Sequence, residues 1–207
     1  SVSLVSDVLF YRCSALTGGA IDVREGSLLN LGEDITFQSC SSESGGGGVY
    51  ISESTLTSIT VDGIVTFDDC QSTLWGGAIY GFSSSLDLSR VLMSNCRTGA
   101  YGGGAIYLRG IADGEDTMLQ MDECAVMDCA SQGRGGGLWV STAANVVLND
   151  TLFIQNFAKN YGGAIRFSDV AIADIIDCPM KGNVAGRNAG AIDVEACGTV
   201  LIQGGSF

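Results

Sequence analysis

The segment YGGGAIYL at Tyr101–Leu108 holds the phrase that decides the fold, because its core recurs along the chain. Related copies read TGGAIDV, WGGAIYG, YGGAIRF and NAGAIDV, and they begin at residues 17, 75, 161 and 188. A catalytic loop is normally made once, whereas this phrase is made seven times. Such recurrence indicates a repeating architecture.

Two signatures keep the same phase along the chain. The aliphatic residue that ends the phrase is taken as an anchor, and it returns every 27 to 32 residues, at Ile21, Val49, Ile79, Ile106, Leu138, Ile165 and Ile192. Before each anchor, an apolar residue is followed three positions later by Cys or Asn: Phe10/Cys13, Phe37/Cys40, Phe67/Cys70, Met93/Cys96, Val126/Cys129, Phe153/Asn156 and Met180/Asn183. The chain therefore consists of seven units, and Phe207 opens an eighth.

Each unit contains three short stretches in which every second residue is apolar, such as Val65/Phe67, Ile106/Leu108 and Leu119/Met121. Alternation with a period of two predicts strands that bury one face. No helical pattern lies between them, which argues against a βαβ protein. We predict an all-β fold, a parallel β-helix or solenoid that forms one segment over residues 1–207. Its coils would stack about 4.8 Å apart, giving a rod of roughly 34 Å.

The glycines of the phrase are predicted to form a corner of each coil. Glycine reaches positive φ at little cost, and its missing Cβ lets neighbouring backbones approach closely. A dinucleotide or phosphate loop would need a helix after the phrase or a Gly-Lys-Ser/Thr sequence, and the chain has neither. The phrase is therefore read as architecture rather than as a phosphate site.

Composition excludes several classes of protein. The formal net charge of −13 argues against binding to a nucleic-acid backbone, which requires clustered Lys and Arg. No apolar run approaches the roughly 20 residues that a transmembrane helix needs. Hydrophobic residues make up 46% of the chain, which is too many for a disordered protein.

The paired signatures resemble the FxxN and GGAI motifs of the polymorphic outer membrane protein repeats found in chlamydial autotransporter passengers. The full pattern is present at Phe153/Asn156 with the GGAI segment at residues 162–165, whereas Cys replaces the motif Asn in five units. The resemblance implies a right-handed parallel β-helix. It also implies an extracellular or cell-surface protein that acts in adhesion or in a surface structure.

The cysteines form a column at one position of the repeat: Cys13, Cys40, Cys70, Cys96 and Cys129. Stacked Cα atoms about 4.8 Å apart fall within the disulfide range, but parallel Cβ vectors keep the Cβ atoms wider apart than bridged pairs require. We therefore favour buried, unbridged thiols over a disulfide ladder. A zinc site is less favoured, because the chain has neither histidine nor a CxxC pair.

A row of aromatic residues follows the anchors in four consecutive units. The residue after each anchor should point outward, and this row reads Tyr50, Tyr80, Tyr107, Trp139 and then Arg166. One interpretation is mutual support between stacked rings. The other is an exposed surface for a glycan or a neighbouring subunit. The sequence leaves both open.

Candidate enzyme and metal residues are few. Parallel β-helices also include polysaccharide lyases and glycoside hydrolases, which need clustered carboxylates on the outer face, and only the pair Asp68/Asp69 precedes a motif cysteine. The insertion RGIADGEDT contains Asp113, Glu115 and Asp116, whose oxygens suit Ca²⁺ but lack the spacing of a calcium loop. We expect no cofactor and no catalytic site.

Neither end of the chain carries the polar cap that normally closes a solenoid, so we expect a segment internal to a longer chain. The favoured function is a non-catalytic structural or adhesive rod, part of a larger cell-surface or filamentous assembly. Its partners would be other protein subunits or glycans. The alternative is a β-helix that binds or cleaves carbohydrate.

Overall fold

The computed structural model describes residues 1–58, 62–111 and 117–206, apart from the side chain of Ala144. The first strands in chain order are β1 (Val2–Ser6), β2 (Leu9–Tyr11), β3 (Ser14–Thr17), β4 (Ile21–Arg24), β5 (Leu28–Glu33), β6 (Thr36–Gln38), β7 (Ser41–Gly45), β8 (Val49–Ser52), β9 (Thr55–Ser58), β10 (Val65–Asp68), β11 (Gln71–Ser72), β12 (Ile79–Phe82), β13 (Ser85–Ser89) and β14 (Val91–Ser94). The remaining strands are β15 (Arg97–Thr98), β16 (Ile106–Arg109), β17 (Met118–Asp122), β18 (Ala125–Met127), β19 (Ala130–Ser131), β20 (Leu138–Asn149), β21 (Leu152–Ile154), β22 (Phe157–Ala158), β23 (Ile165–Ile176), β24 (Met180–Lys181), β25 (Val184–Ala185), β26 (Ile192–Glu195) and β27 (Thr199–Gln203).

These strands form three parallel sheets that run along the solenoid. Sheet A has 13 strands, because each coil contributes its anchor strand and its third strand to it. Sheet B has seven strands in the order β2-β6-β10-β14-β18-β21-β24. Sheet C has seven, in the order β25-β22-β19-β15-β11-β7-β3. The predicted parallel β-solenoid of about seven coils is confirmed. A short segment after each motif Cys or Asn, which forms sheet C, was not predicted.

The register of the sheets follows the repeat. Phe10 pairs with Phe37, and Phe37 pairs with Phe67, so that equivalent residues of successive coils lie side by side. Their rings form a continuous stack, with centroids 4.8 Å and 4.4 Å apart. Phe37 and Phe67 are completely buried, as are the aliphatic anchors Val49, Ile79 and Ile106. The alternation in the sequence therefore identified the inward face correctly.

The corner after sheet B is made by the residue just before the motif Cys or Asn. This residue has a φ between 51° and 56° in six coils, at Arg12, Ser39, Asp69, Asn95, Asp128 and Gln155. Gly182 takes the place in the seventh coil with φ 65°. Asn and Asp tolerate this left-handed region better than most residues, and glycine enters it freely. The second x of FxxN is therefore a turn position.

The two glycines of the repeated phrase have different tasks. The first has positive φ, as at Gly103 (φ 67°), and the last coil accepts Ala189 there with φ 49°. The second is glycine in all seven coils. A Cβ on Gly104 would overlap the carbonyl oxygen of Gly136 and lie 2.7 Å from the amide nitrogen of Ala130 in the next coil. The second glycine therefore allows two backbones to touch, which confirms the predicted corner.

Within the described residues, no helix has the length and apolar character that crossing a bilayer requires.

Candidate functional site

The predicted aromatic row lies on the outer side of the anchor strands of sheet A. Tyr50 pairs with Tyr80, Tyr80 with Tyr107, Tyr107 with Trp139 and Trp139 with Arg166. The rings of Tyr80 and Tyr107 stack at 5.4 Å with an interplanar angle of 10°, and those of Tyr107 and Trp139 stack at 4.4 Å. The structure thus brings the predicted residues together as one contiguous row.

The structure buries most of this row instead of exposing it to solvent. Tyr80, Tyr107, Trp139 and Arg166 retain only 8%, 4%, 8% and 5% of their accessible surface, and Tyr50 is half-buried. The rings cover one another along the row, and a second row of side chains from the preceding corner lies over them. The interpretation of mutual support between stacked rings therefore describes these four aromatics better. Whether this face binds a glycan or a subunit stays a prediction.

The covering row consists of the residues four positions before the anchors. Backbone bridges link Gly45, Trp75, Gly102, Arg134 and Tyr161 in successive coils. Glycine occurs where a ring needs the space, since a Cβ on Gly45 would lie 2.5 Å from Cδ1 of Tyr80. A Cβ on Gly102 would likewise lie 2.6 Å from Cε3 of Trp139. Sequence reasoning missed this row because it treated these residues only as corner residues.

Trp75 joins the two rows into an aromatic layer, which we define as Tyr50, Trp75, Tyr80, Tyr101, Tyr107 and Trp139. Its ring lies 5.6 Å from that of Tyr80 and 5.3 Å from that of Tyr101. Tyr101 is 53% exposed. It occupies the coil in which nine residues lie between Cys96 and Ile106, against eight between Cys70 and Ile79. The extra residue places the exposed edge of the layer at Tyr101.

The hydroxyls of Tyr80 and Tyr107 are unsuited to acid–base chemistry near neutral pH. Burial raises the pKa of Tyr80 well above its ordinary value, and the neighbouring Tyr107 and Tyr50 add to this shift. Burial also raises the pKa of Tyr107. Both phenols therefore stay protonated, and the layer contributes packing and ring faces.

Arginines and acids close both ends of the layer. At one end Arg24 forms a salt bridge with Asp22, with 2.7 Å between Nε and Oδ1. Its guanidinium carbon lies 4.9 Å from the ring centroid of Tyr50. At the other end buried Arg166 pairs with Asp193 and Glu195. Its guanidinium is 5.3 Å from the ring of Tyr161. Arginine stacks readily on aromatic faces, so Arg24 and Arg166 continue the row of stacked groups at its two ends. The positive charge of each guanidinium is balanced by acidic residues of the same chain.

The cysteine column lies at the junction of sheets B and C. Cys40, Cys70, Cys96 and Cys129 are buried, Cys13 is half-buried, and all are free thiols in the structure. Each buried sulfur lies within hydrogen-bonding distance of a carbonyl of the preceding coil, for example Cys70 Sγ to Phe37 O at 3.5 Å and Cys129 Sγ to Met93 O at 3.7 Å. The column thus ties coils together.

Asn156 makes the same connection with stronger bonds. Its Nδ2 donates to the carbonyl of Val126 at 2.9 Å, and its Oδ1 accepts from the amide of Cys129 at 3.0 Å. Asn183 repeats the contact one coil later, with Nδ2 donating to the carbonyl of Phe153 at 3.0 Å. A buried Asn stabilises only when its amide is satisfied, and Asn156 is. The FxxN motif is therefore a hydrogen-bonded staple between coils.

We expect Asn156→Ala to lower the free energy of unfolding by about 2 kcal/mol, because the Val126 carbonyl and the Cys129 amide lose a buried partner. Denaturant unfolding followed by circular dichroism would measure this loss. Asn156→Cys is the matched control, because cysteine occupies the position in five other coils. Its thiol restores the bond to the carbonyl, so a smaller loss is expected. Equal losses in both variants would contradict the staple.

Thiol reactivity tests the burial of the cysteines, both in the column and at Cys124, Cys178 and Cys197 outside it. Burial raises the pKa of Cys124 to about 11, and it raises the pKa of Cys96 well above the ordinary value. Only Cys13 and Cys197 are not buried. We therefore expect a chromogenic disulfide reagent at pH 8 to modify these two thiols first, and all eight after unfolding. Rapid native modification of Cys96 would contradict this arrangement.

The acidic pair before Cys70 is used within the structure. Asp68 Oδ1 accepts hydrogen bonds from Ser94 at 2.8 Å and from Asn95 at 3.0 Å. These bonds, that of Asn95 first, lower the pKa of Asp68 against the opposing effect of burial. Asp69 accepts from the hydroxyl of Ser39 in the preceding coil at 3.2 Å and from Gln71 at 3.1 Å. Both carboxylates thus join neighbouring turns.

The calcium candidates Asp113, Glu115 and Asp116 lie outside the described residues. Among the residues that the structure describes, no three His, Cys, Asp or Glu side chains are grouped so that they could hold a metal ion.

Comparison with known proteins agrees with the geometry of the repeat. A profile of the Chlamydia polymorphic membrane protein repeat matches residues 150–168, which contain Phe153, Asn156 and the GGAI segment. At residues 150–168 the chain carries a repeat of the polymorphic membrane protein (Pmp) type. The matched residues of this repeat are the staple and the corner described above.

One curated relative is similar in sequence to half of this chain. Probable outer membrane protein PmpD of Chlamydia trachomatis serovar D is 30% identical over 122 residues, which cover 50% of this chain. The chain spans about 8% of the length of that relative. No solved structure matches the chain. The similarity to an outer membrane protein supports the cell-surface location that the repeats predicted.

Proposed function

We propose that this chain is a non-catalytic structural or adhesive rod within a larger cell-surface assembly. One observation carries the proposal: the polar residues of the repeat motif are engaged in bonds between coils. Asn156 links three coils through Val126, Cys129 and Asn183. Asp68 is likewise occupied by Ser94 and Asn95. Asn156 and Asp68 thus serve the stacking of the coils, and this supports a structural role.

The arrangement of the side chains supports a role in display. Parallel coils in register form a stiff scaffold whose outer residues repeat at intervals of about 4.8 Å. Such a surface presents the same kind of contact several times, and this favours multivalent attachment to partners that are themselves repetitive. Other protein subunits and matrix glycans are partners of that kind. The exposed edge of the aromatic layer at Tyr101 is one face available to them.

Two assays on the purified chain test the proposal. Beads coated with the chain should attach to cells or matrix more strongly than uncoated beads, whereas no polysaccharide in a panel of neutral and acidic polymers should be cleaved. Turnover that is lost in Asp68→Asn would identify a carbohydrate-cleaving enzyme and overturn the proposal. Asp68→Asn removes a carboxylate charge but keeps an acceptor for Ser94, so the fold should survive the change.

A further inference from the structure

Sheet C presents an apolar row with cations beside it. Its outward residues Arg97, Ala130, Phe157 and Val184 lie in register on four successive coils. Phe157 is 41% exposed and Val184 is 53% exposed. Lys159, two residues after Phe157, is also exposed. An aromatic side chain projecting between apolar neighbours is typical of an interaction surface.

The charge of this row is unusual for the chain. The protein has 23 acidic residues against ten basic ones. Nevertheless, neither Arg97 nor Lys159 forms an ion pair with a described residue. Unpaired cations beside exposed apolar groups favour a partner that offers carboxylates around an apolar recess. We call Phe157, Val184 and Lys159 the knob.

A recess of that kind lies on another face, at the corner where sheet B begins. It has a volume of about 460 Å³, and its apolar lining includes Ile64, Leu92 and Ala125. Ile64 is 49% exposed, so its side chain is accessible to a partner.

Acidic residues surround this recess. Asp62 and Glu123 both line it, and Arg90, whose Nε bonds Glu123 at 2.9 Å, is the cation there. Asp34 adds a further carboxylate, since its Oδ1 accepts from the amide of Ile64 at 3.4 Å. With three acids and one arginine, the surroundings are net negative. Charge and polarity thus complement the knob.

We propose that a second copy of this chain inserts its knob into this recess, so that the rods associate side by side. Both surfaces belong to the same solenoid and share its spacing of about 4.8 Å between coils. Because the knob and the recess are different surfaces, each copy keeps one of them free after pairing. A contact of this type is heterologous and extends into an open array.

Other partners would match the cations of this surface but would not provide an acid-lined apolar recess. A sulfated polysaccharide or an anionic membrane would meet Lys159 and Arg97, but neither supplies an acid-lined recess of fixed shape for Phe157. The inference deepens the proposed structural role and rests on it, because it names a second copy as the partner. A chain that stays monomeric would refute the side-by-side contact, whereas polysaccharide cleavage would refute the structural role.

Sedimentation velocity of the 207-residue chain at increasing concentration tests the contact. The wild type should form progressively larger species, and raising the salt concentration should weaken them because the ion pairs are screened. Phe157→Asp removes the knob and Ile64→Asp spoils the recess, so each variant alone should sediment as a monomer. Ile172→Asp is the matched control, because Ile172 is 48% exposed on sheet A, away from both surfaces, and this variant should associate like the wild type.

Mixing the two variants gives the decisive result. Ile64→Asp keeps its knob and Phe157→Asp keeps its recess, so an equal mixture should form one-to-one dimers that do not grow further. Lys159→Glu is a milder knob variant, for use if Phe157→Asp does not fold. A monomeric wild type, variants that associate like the wild type, or a mixture without dimers would overturn the proposal. Binding of the monomeric wild type to phosphatidylglycerol vesicles would overturn it in favour of a membrane contact.

Discussion

Replacing Phe37 by alanine is expected to lower the free energy of unfolding by about 4 kcal/mol. The side chain is completely buried, and its ring stacks on Phe10 at 4.8 Å and on Phe67 at 4.4 Å. The substitution removes apolar contacts and leaves a cavity in the middle of the ring column. Surrounding strands are held on both sides by neighbouring coils, so they collapse into that cavity only in part.

Thr36→Ala is the control for this prediction. Thr36 precedes Phe37 in the same strand but points outward and is half-buried. Its replacement should change the free energy of unfolding by no more than about 0.5 kcal/mol. Chemical denaturation of both variants measures the difference. The two unfolding free energies are comparable when they depend on denaturant concentration with the same slope. A loss below about 1 kcal/mol for Phe37→Ala would mean that the ring column is not the core.

Gly104→Ala should cost at least about 3 kcal/mol, although it adds a single methyl group. The added Cβ would overlap the carbonyl oxygen of Gly136 and lie 2.7 Å from the amide nitrogen of Ala130. Both are backbone atoms of the next coil, so neither moves without breaking the ladder. The strain would be relieved only by separating two coils.

Gly26→Ala is the matched substitution in open space. Gly26 has φ 69°, and a Cβ there would meet nothing within 4 Å. The left-handed backbone alone should cost about 1 kcal/mol. Thermal unfolding of the two variants therefore separates backbone conformation from the approach of the coils. Equal destabilisation would contradict the assigned role of the second glycine.

The sequence predicted the parts of the fold that depend on period and phase. The recurrence of the anchors placed Ile79, Ile106 and Leu138 side by side, and the alternation of apolar residues identified the buried face. It also assigned the glycine phrase to a corner. These inferences succeeded because a solenoid repeats one local geometry. Seven copies of the repeat therefore give independent evidence about the same local structure.

The burial of the aromatic row could not be predicted in the same way. Alternation tells which face of a strand a residue occupies, but not which side chain from another segment covers that face. Tyr80 is buried because Trp75 lies on it and because Gly45 leaves room for its ring. The alternation of Gly45, Trp75 and Gly102 along one row was the available signal.

The role of Asn156 was also hidden in the sequence. The motif showed that Asn or Cys recurs, and cysteine at the same place suggested small buried groups. Only the geometry shows that the Asn amide reaches the Val126 carbonyl and the Cys129 amide of the neighbouring coil. Hydrogen bonds between coils depend on how far each strand is displaced relative to its neighbour in the next coil. The spacing of motifs along the chain does not determine this displacement.

Amide hydrogen exchange, resolved to single residues, tests most directly the central claim that the repeated motifs are structural connections between coils. The amide of Gly104 donates to Gly135 and that of Cys129 to Asn156, at 3.0 Å in both cases. We predict that these motif amides exchange among the slowest of the interior coils, with opening free energies close to that of global unfolding. Exchange as fast as that of exposed loop amides would contradict the account, because the motifs would then not hold the coils together.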